Sequence, residues 1–480
     1  MAAHSNLTKK EIVNLTVTQA QQALSSGCLT SVKYLETLIE HIKTLEQKNS
    51  TKGINGIIFF NFKQALKEAR KADQTRIKKE CVKGKPLAGI PLLVKDSFDV
   101  AGIPTTAATP SLRTNLPSSD GPVIARLRRA GAIVIAKTNL TEMSLGLTVP
   151  NETFAGPCRN PYSLEFTSGG SSGGSAAGLA ARYAPMALGE DTGGSIRCPA
   201  MCCGIIGFRP TTKRYSQAGI VPVGASFDTA GPMARSVEDI QLLDGIITGQ
   251  NEAQALKARK LRIGIPSKFF YQDLTPEVEE AVKKVLAKLR RAGITLIDKE
   301  IDLDFTSNST DQLAILTREF ESDLNKYLAP QIKDPNNSLR PISAKEVVTD
   351  MGTPAIKAFA DALLVPAPSI EYLDALKRRR EQQRVFKRYF KDNKLDAILV
   401  PSSTHVAVPL TVPAAEAFGI YVRNFSVAAF SSVPAINLPV GLSNGLPVGI
   451  ELMGRAGRDR RLLDVARTVE RVIQFKATPL

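Results

Sequence analysis

The sequence predicts an α/β protein in which helices pack on a largely parallel sheet. Two observations carry that expectation. Short apolar runs of strand length alternate with stretches of helical periodicity in the first third of the chain. Strand signals then return after Asp396, beyond a helix-rich middle, so both ends of the chain should feed one sheet. With 480 residues, 43% of them hydrophobic, the chain can bury a large core without disulfides or structural metals.

The elements follow in order. Two helices open the chain. Thr16 and Gln19 form a capping-box pattern at the start of the first, and Gly27 suits its stop. The second carries Val32, Leu35, Leu38, Ile39, Ile42 and Leu45 at helical spacing. Gly89-Ile90-Pro91-Leu92-Leu93-Val94-Lys95 reads as a buried strand ending in a charge. Val123 to Arg129 is helical in pattern, and Ala132 to Ala136 is a second buried strand. Residues 168–232 are rich in glycine and serine. Residues 251–395 turn charged and helical, with one strand at Leu261 to Ile265, and suggest a cap-like insertion. Ala397 to Pro401 restores the strand pattern. Ala435 to Val440 and Val448 to Met453 flank Asn444-Gly445, a hairpin turn signal. A last helix spans about Arg458 to Phe475. The expected layout is one domain over 1–480: N-terminal helices to residue 80, a core over 81–250, the insertion over 251–395 and a return to the sheet over 396–480.

Composition excludes several functions. Lys plus Arg exceed Asp plus Glu by 62 − 46 = 16, but the basic residues are dispersed, and no nucleic-acid-binding signature accompanies them. The densest run, Lys377 to Arg380, reads as a solvated helix face. No run of about 18 apolar residues offers a membrane span. Met1 to Lys10 lacks the apolar core of a secretory signal, which points to the cytoplasm. Cys198, Cys202 and Cys203 lie in an apolar stretch and read as buried thiols, because adjacent cysteines make poor tetrahedral ligands. No metal or organic cofactor is expected. Only three histidines occur, and of these only His405, after a strand end, is placed where it could serve catalysis. A Ser-His-Asp hydrolase is therefore poorly supported, and the glycines fit neither a P-loop nor a dinucleotide fingerprint.

Two motifs remain. Ser168-Gly169-Gly170-Ser171-Ser172-Gly173-Gly174-Ser175 runs directly into a helix former, so it is no linker. Gly189-Glu190-Asp191-Thr192-Gly193-Gly194-Ser195-Ile196-Arg197 places two glycines before a serine. Successive amides there can converge on one oxygen beside the hydroxyl. A serine nucleophile needs a base, and with histidine scarce, lysine is the alternative. Lys95 ends an apolar strand, where desolvation favours the neutral amine. A lysine paired with Asp96 or Asp99 is the competing reading.

Together these residues resemble the amidase signature family, over nearly the whole chain and most strongly over 85–235 and from 431 onward. The resemblance implies an α/β/α fold with a central twisted mixed sheet covered by helices on both faces. It implies a Ser–cis-Ser–Lys triad: Ser195 as nucleophile, Ser171 as the bridging serine in a cis peptide, and Lys95 as base and acid. Ser171 and Ser195 keep the family's 24-residue spacing. It further implies an oxyanion hole from the amides of Thr192, Gly193, Gly194 and Ser195, with Ser172, Asp191 and Arg197 in support. The reaction implied is acyl transfer from a small-molecule amide to water, releasing ammonia or amine.

Within the family, Thr105 to Pro110, Gly207 to Thr211, Asp228 to Met233 and Gly445 to Glu451 are similar to the indoleacetamide and mandelamide hydrolase branch. The glutamine-hydrolysing component of the glutamyl-tRNA amidotransferase is the alternative. Its glutamine site uses an acidic residue where Tyr421 to Phe430 here holds none. Ser144, Gly146, Thr148, Phe425 and Ser431 are the expected pocket walls, suited to an apolar acyl group. A homodimer is left open.

Overall fold

The computed structural model describes residues 7–46, 53–77, 84–150, 152, 156–250, 256–329, 333–334, 337–476 and 478–479. His4, Cys81 and most of the N-terminal stretch read for a signal lie outside the described residues.

An 11-stranded sheet organises the molecule. Its strands are β1 (Ile57–Phe60), β2 (Pro91–Lys95), β3 (Ile133–Thr138), β4 (Met186–Asp191), β5 (Ile206–Arg209), β6 (Thr229–Ala234), β7 (Arg262–Gly264), β8 (Thr295–Ile297), β9 (Ala397–Pro401), β10 (Ala435–Ser443) and β11 (Leu446–Met453). They lie in the order β1-β3-β2-β4-β6-β5-β10-β11-β9-β7-β8. β3, β2 and β4 run parallel, as do β9, β7 and β8. The strands joining these two groups are antiparallel. The sheet is thus mixed rather than largely parallel: hairpin partners such as β10 and β11 are local in sequence, but their docking on β5 is not. Every residue of β2, β3, β4 and β6 is buried. Side chains alternate between faces along a strand, so both faces are covered there.

The local signals produced the expected elements. Thr16 and Gln19 form a reciprocal capping box on the helix Val17–Ser25. The apolar stripe of Ser31–Leu45 buries Leu35, Leu38, Ile39 and Ile42. A short helix, Lys9–Asn14, precedes them, capped by Thr8 and Glu11. It carries only Ile12 and Val13 as buried anchors, too few for a periodic pattern.

The middle segment divides in two. β7, the helix Pro276–Arg291 and β8 extend the sheet edge, so this half is sheet rather than cap. The helices Asn308–Leu328, Ala344–Thr349, Pro354–Leu363 and Ser369–Asp392 form a separate apolar cluster around Phe320, Leu324, Val347 and Leu363. That cluster reaches Met143, Phe227 and Phe430, on segments that flank the site described below. The basic run on Ser369–Asp392 is not uniformly solvated. Arg379 is buried, stacks 4.1 Å from the Phe227 ring and donates to the Phe430 and Ser226 carbonyls. His41 is half-buried, with its ring on the Ala181 carbonyl. Among the described residues no helix is long and apolar enough to cross a membrane, and no cluster of His, Cys, Asp and Glu has metal-site geometry.

Candidate active site

The candidate residues converge beyond the C-terminal ends of β2 and β4, two parallel neighbours, where open α/β sheets place their ligand crevices. Lys95 is the last residue of β2 and is fully buried. Its Nζ donates to Ser171 Oγ at 2.8 Å and lies 3.5 Å from Glu190 Oε2. Neither aspartate of the competing reading binds it: Asp96 pairs with Lys137 at 2.8 Å, and Asp99 accepts from Tyr327. Burial holds the Lys95 amine below the ordinary lysine range, and the Glu190 charge offsets part of that.

Ser171 follows a cis Gly170–Ser171 peptide bond. Its carbonyl accepts from the Thr141 amide at 3.2 Å. The next residue, Ser172, begins the buried helix Gly173–Ala180. Its amide donates to the Ser195 carbonyl at 3.1 Å, which ties the two serine loops together. Its hydroxyl bonds the Glu190 backbone.

Asp191 shapes the loop that carries Ser195. Its carboxylate accepts from the Gly194 and Ile196 amides, from Arg197 twice and from Arg209. Burial works against that charge, but the two guanidiniums hold Asp191 far below the carboxylate range. Arg197 Nη1 donates to both Glu451 oxygens at 2.9–3.0 Å, and Nη2 also donates to the Phe425 carbonyl, while Nε and Nη2 form the bidentate pair with Asp191. This is a fully buried network with bidentate geometry, not a surface pair. It corrects one expectation. The Gly194 N–H already donates to Asp191, so it is not aimed at a substrate oxygen. Among the described residues no acceptor takes the Gly193 and Ser195 amides.

Ser195 is 6% exposed and opens onto a cavity of about 200 Å³. Ser144, Leu145, Gly146, Leu147, Thr192, Gly193, Val223, Gln312, Leu313, Leu316, Phe359, Phe418 and Val422 line it, with Ser309 and Thr310 at the helix Asn308–Leu328. None of these carries a charge. Ser144 and Gly146 therefore stand where expected. Thr148, Phe425 and Ser431 do not. The Thr148 backbone packs on Gly170, where a Cβ would come within 2.7 Å of its N and O. Phe425 lies under Gly194 and the Arg197 guanidinium. Ser431 accepts from Gln382. The wall comes instead from Phe418 and Val422, earlier on the same helix, Ala414–Phe430. His405 meets Thr404 and is not among the residues lining this cavity.

Sequence reading missed four residues. Glu190 touches Lys95. Arg209 holds Asp191. Asp228 accepts from the Thr192 hydroxyl at 2.6 Å, and burial with the Glu190 charge pushes it up to about 7. Gln312 Nε2 donates to the Thr192 carbonyl at 2.8 Å. Glu190 could have been found, since it lies inside the second motif. Gln312, 117 residues after Ser195, carried no signal.

A family model described as Amidase matches residues 35–463. The chain belongs to the amidase signature family. It is an amidase, a hydrolase of carbon–nitrogen amide bonds. This amidase is 34% identical to a mandelamide hydrolase of Pseudomonas putida, over 97% of this chain and 92% of that protein. It is 32% identical to an indoleacetamide hydrolase of Agrobacterium vitis, over 97% and 98%. A glutamyl-tRNA(Gln) amidotransferase component of Roseiflexus is also 32% identical, over 96% and 97%. The structure of a peptide amidase from Stenotrophomonas maltophilia superposes with a TM-score of 0.82 at 28% identity, covering 97% of this chain and 98% of that one.

Proposed function

We propose that this amidase hydrolyses a small apolar primary amide to its acid and ammonia, through an acyl-enzyme on Ser195. The observation that carries the reading is the buried Lys95–Ser171 hydrogen bond beside an uncharged pocket that opens on Ser195. Neutral Lys95 takes the Ser171 proton as Ser171 takes that of Ser195. Ser195 Oγ then attacks the amide carbon. The Gly193 and Ser195 amides, with Thr192, face the developing oxyanion. The proton returns through Ser171 to the leaving nitrogen, and ammonia departs. Water repeats the sequence on the acyl-enzyme and frees the acid. Gln312 braces the Thr192 carbonyl from the pocket side.

The pocket chemistry favours an apolar acyl group over glutamine. A glutamine substrate brings a buried ammonium and carboxylate, which need partners, and the lining supplies no charge to meet them. The likeness to the amidotransferase component supports the second reading, a glutaminase that serves a partner protein.

The test is ammonia release by the purified chain alone from phenylacetamide, mandelamide, indole-3-acetamide, a short aliphatic amide and glutamine, beside Ser195→Ala. Turnover of an apolar amide that vanishes in the variant is expected. Turnover of glutamine alone, or none until a partner is added, would move the assignment to the amidotransferase reading.

A further inference from the structure

Four carboxylates crowd the site around Lys95, and three of them are engaged elsewhere. Asp96 pairs with Lys137, and Asp191 with Arg197 and Arg209. Asp228 accepts from the Thr192 hydroxyl and from the Val223 and Gly224 amides. Glu190 is different. It is buried, no guanidinium among the described residues pairs with it, and apart from Lys95 only the neutral Ser97 and Ser144 hydroxyls approach its carboxylate. Oε2 lies 3.5 Å from Lys95 Nζ and accepts from Ser144 at 3.4 Å. A buried carboxylate whose one cationic neighbour is a lysine 3.5 Å away is costly to the fold unless that pairing holds it. The position is also fixed. The Glu190 backbone is pinned by the Ser172 hydroxyl and by pairing with Ala230 on β6.

The two cavities divide the work. The front pocket touches Thr192, Gly193 and Ser195. A second cavity, of about 560 Å³, is lined by Tyr215, Ile220 and Tyr327 together with Glu190 and Asp228. Glu190 thus lines the second cavity, touches Lys95, and meets the substrate pocket only through the Ser144 hydroxyl.

We propose that Glu190 is a positioning residue for the proton relay: its carboxylate stabilises the ammonium that Lys95 becomes on taking the Ser171 proton. The proposal rests on the Lys95–Ser171–Ser195 reading. No atoms are exchanged with Glu190. The proton moves from Ser171 Oγ to Lys95 Nζ and back, and the Glu190 charge faces the cation while it exists. Burial lowers the Lys95 amine and raises Glu190, and each charge opposes the shift of the other, as a counter-ion should. Asp228 and Asp191 add weaker negative potential from the same side.

The test uses the full chain and a fluorophosphonate, which bonds Ser195 Oγ through phosphorus and expels fluoride. It reads the labelling rate against pH without needing the natural amide. Removing the charge by Glu190→Gln should move the acid limb down by about one pH unit or more. It should also lower the plateau rate at least about tenfold, because the amine becomes a weaker base. Glu190→Asp draws the charge back, so its limb should fall between the two, and it carries the test if the Gln variant does not fold. A limb that stays at the wild-type pH in both variants, or moves up, overturns the proposal even if the plateau falls. Labelling absent from Ser195 in the wild type would instead overturn the triad assignment beneath it.

Discussion

At Lys95, burial and a neighbouring carboxylate pull in opposite directions, and burial is the larger effect. The amine therefore loses its proton at a lower pH than a free lysine. In the proposed relay the neutral amine is the base, so amide hydrolysis should hold steady at alkaline pH. It should fall as pH drops through the depressed lysine value. A rate that rises toward acid would contradict this order of charge states. Lys95→Met should cost at least about 100-fold in kcat with the fold retained, the usual scale for a lost general base; steady-state ammonia release reads it, and a loss of less than tenfold would remove Lys95 from the relay. Arg197 illustrates a purely structural role beside it. Arg197→Met leaves Asp191 and Glu451 buried without their shared cation. Breaking such a pair should lower stability by about 3–5 kcal/mol, read as a fall in the urea midpoint. The motif made Arg197 visible. Glu451, 254 residues later and on another strand, stood out only as a branch cue, and nothing in the chain announced that the two meet.

At the scale of elements, short-range physics sufficed for most segments. The capping box at Thr16, the apolar stripe of Ser31–Leu45 and the Asn444-Gly445 turn each act over a few residues, so each was legible. Errors arose where an element's role depends on what it packs against. Phe425 and Ser431 read as pocket walls because the segment around them is mostly apolar. Its helix turns those residues to the core and gives Phe418 and Val422 to the pocket. The Ser195 loop depends on the same helix. Gly194 has φ +133°, and a Cβ there would meet Phe425 Cβ at 2.7 Å. Gly194→Ala should therefore push the loop off Asp191. The expectation is a loss of about 1–3 kcal/mol in stability from overpacking, with a fall in kcat of tenfold or more. Unchanged kcat alongside unchanged melting would show that the loop tolerates the shift.

The pocket is a property of the whole molecule. Its floor is the loop after β4, while its walls come from the turn at Ser144, from three helices and from Val223. Phe359, on the helix Pro354–Leu363, stands on the far wall. Phe359→Ala should enlarge the cavity and raise kcat/KM for bulky amides relative to acetamide by about tenfold, the scale of a few lost apolar contacts. An unchanged ratio would place the acyl group elsewhere.

The sequence by itself determined the family and the α/β class, and it put forward Lys95, Ser171 and Ser195 as the proposed catalytic set. The α/β class depends on local composition, apolar runs that must bury and glycines that permit close turns, while the family and the proposed triad come from the motifs that resemble the amidase signature. The tertiary structure decided the rest. It mixed the strand directions and made half of the insertion a sheet edge. It gave Asp191 to two arginines and set Glu190 against Lys95. Those outcomes depend on contacts between residues separated by tens to hundreds of positions. They are fixed by packing and by buried charges finding partners, which no local window of the chain records.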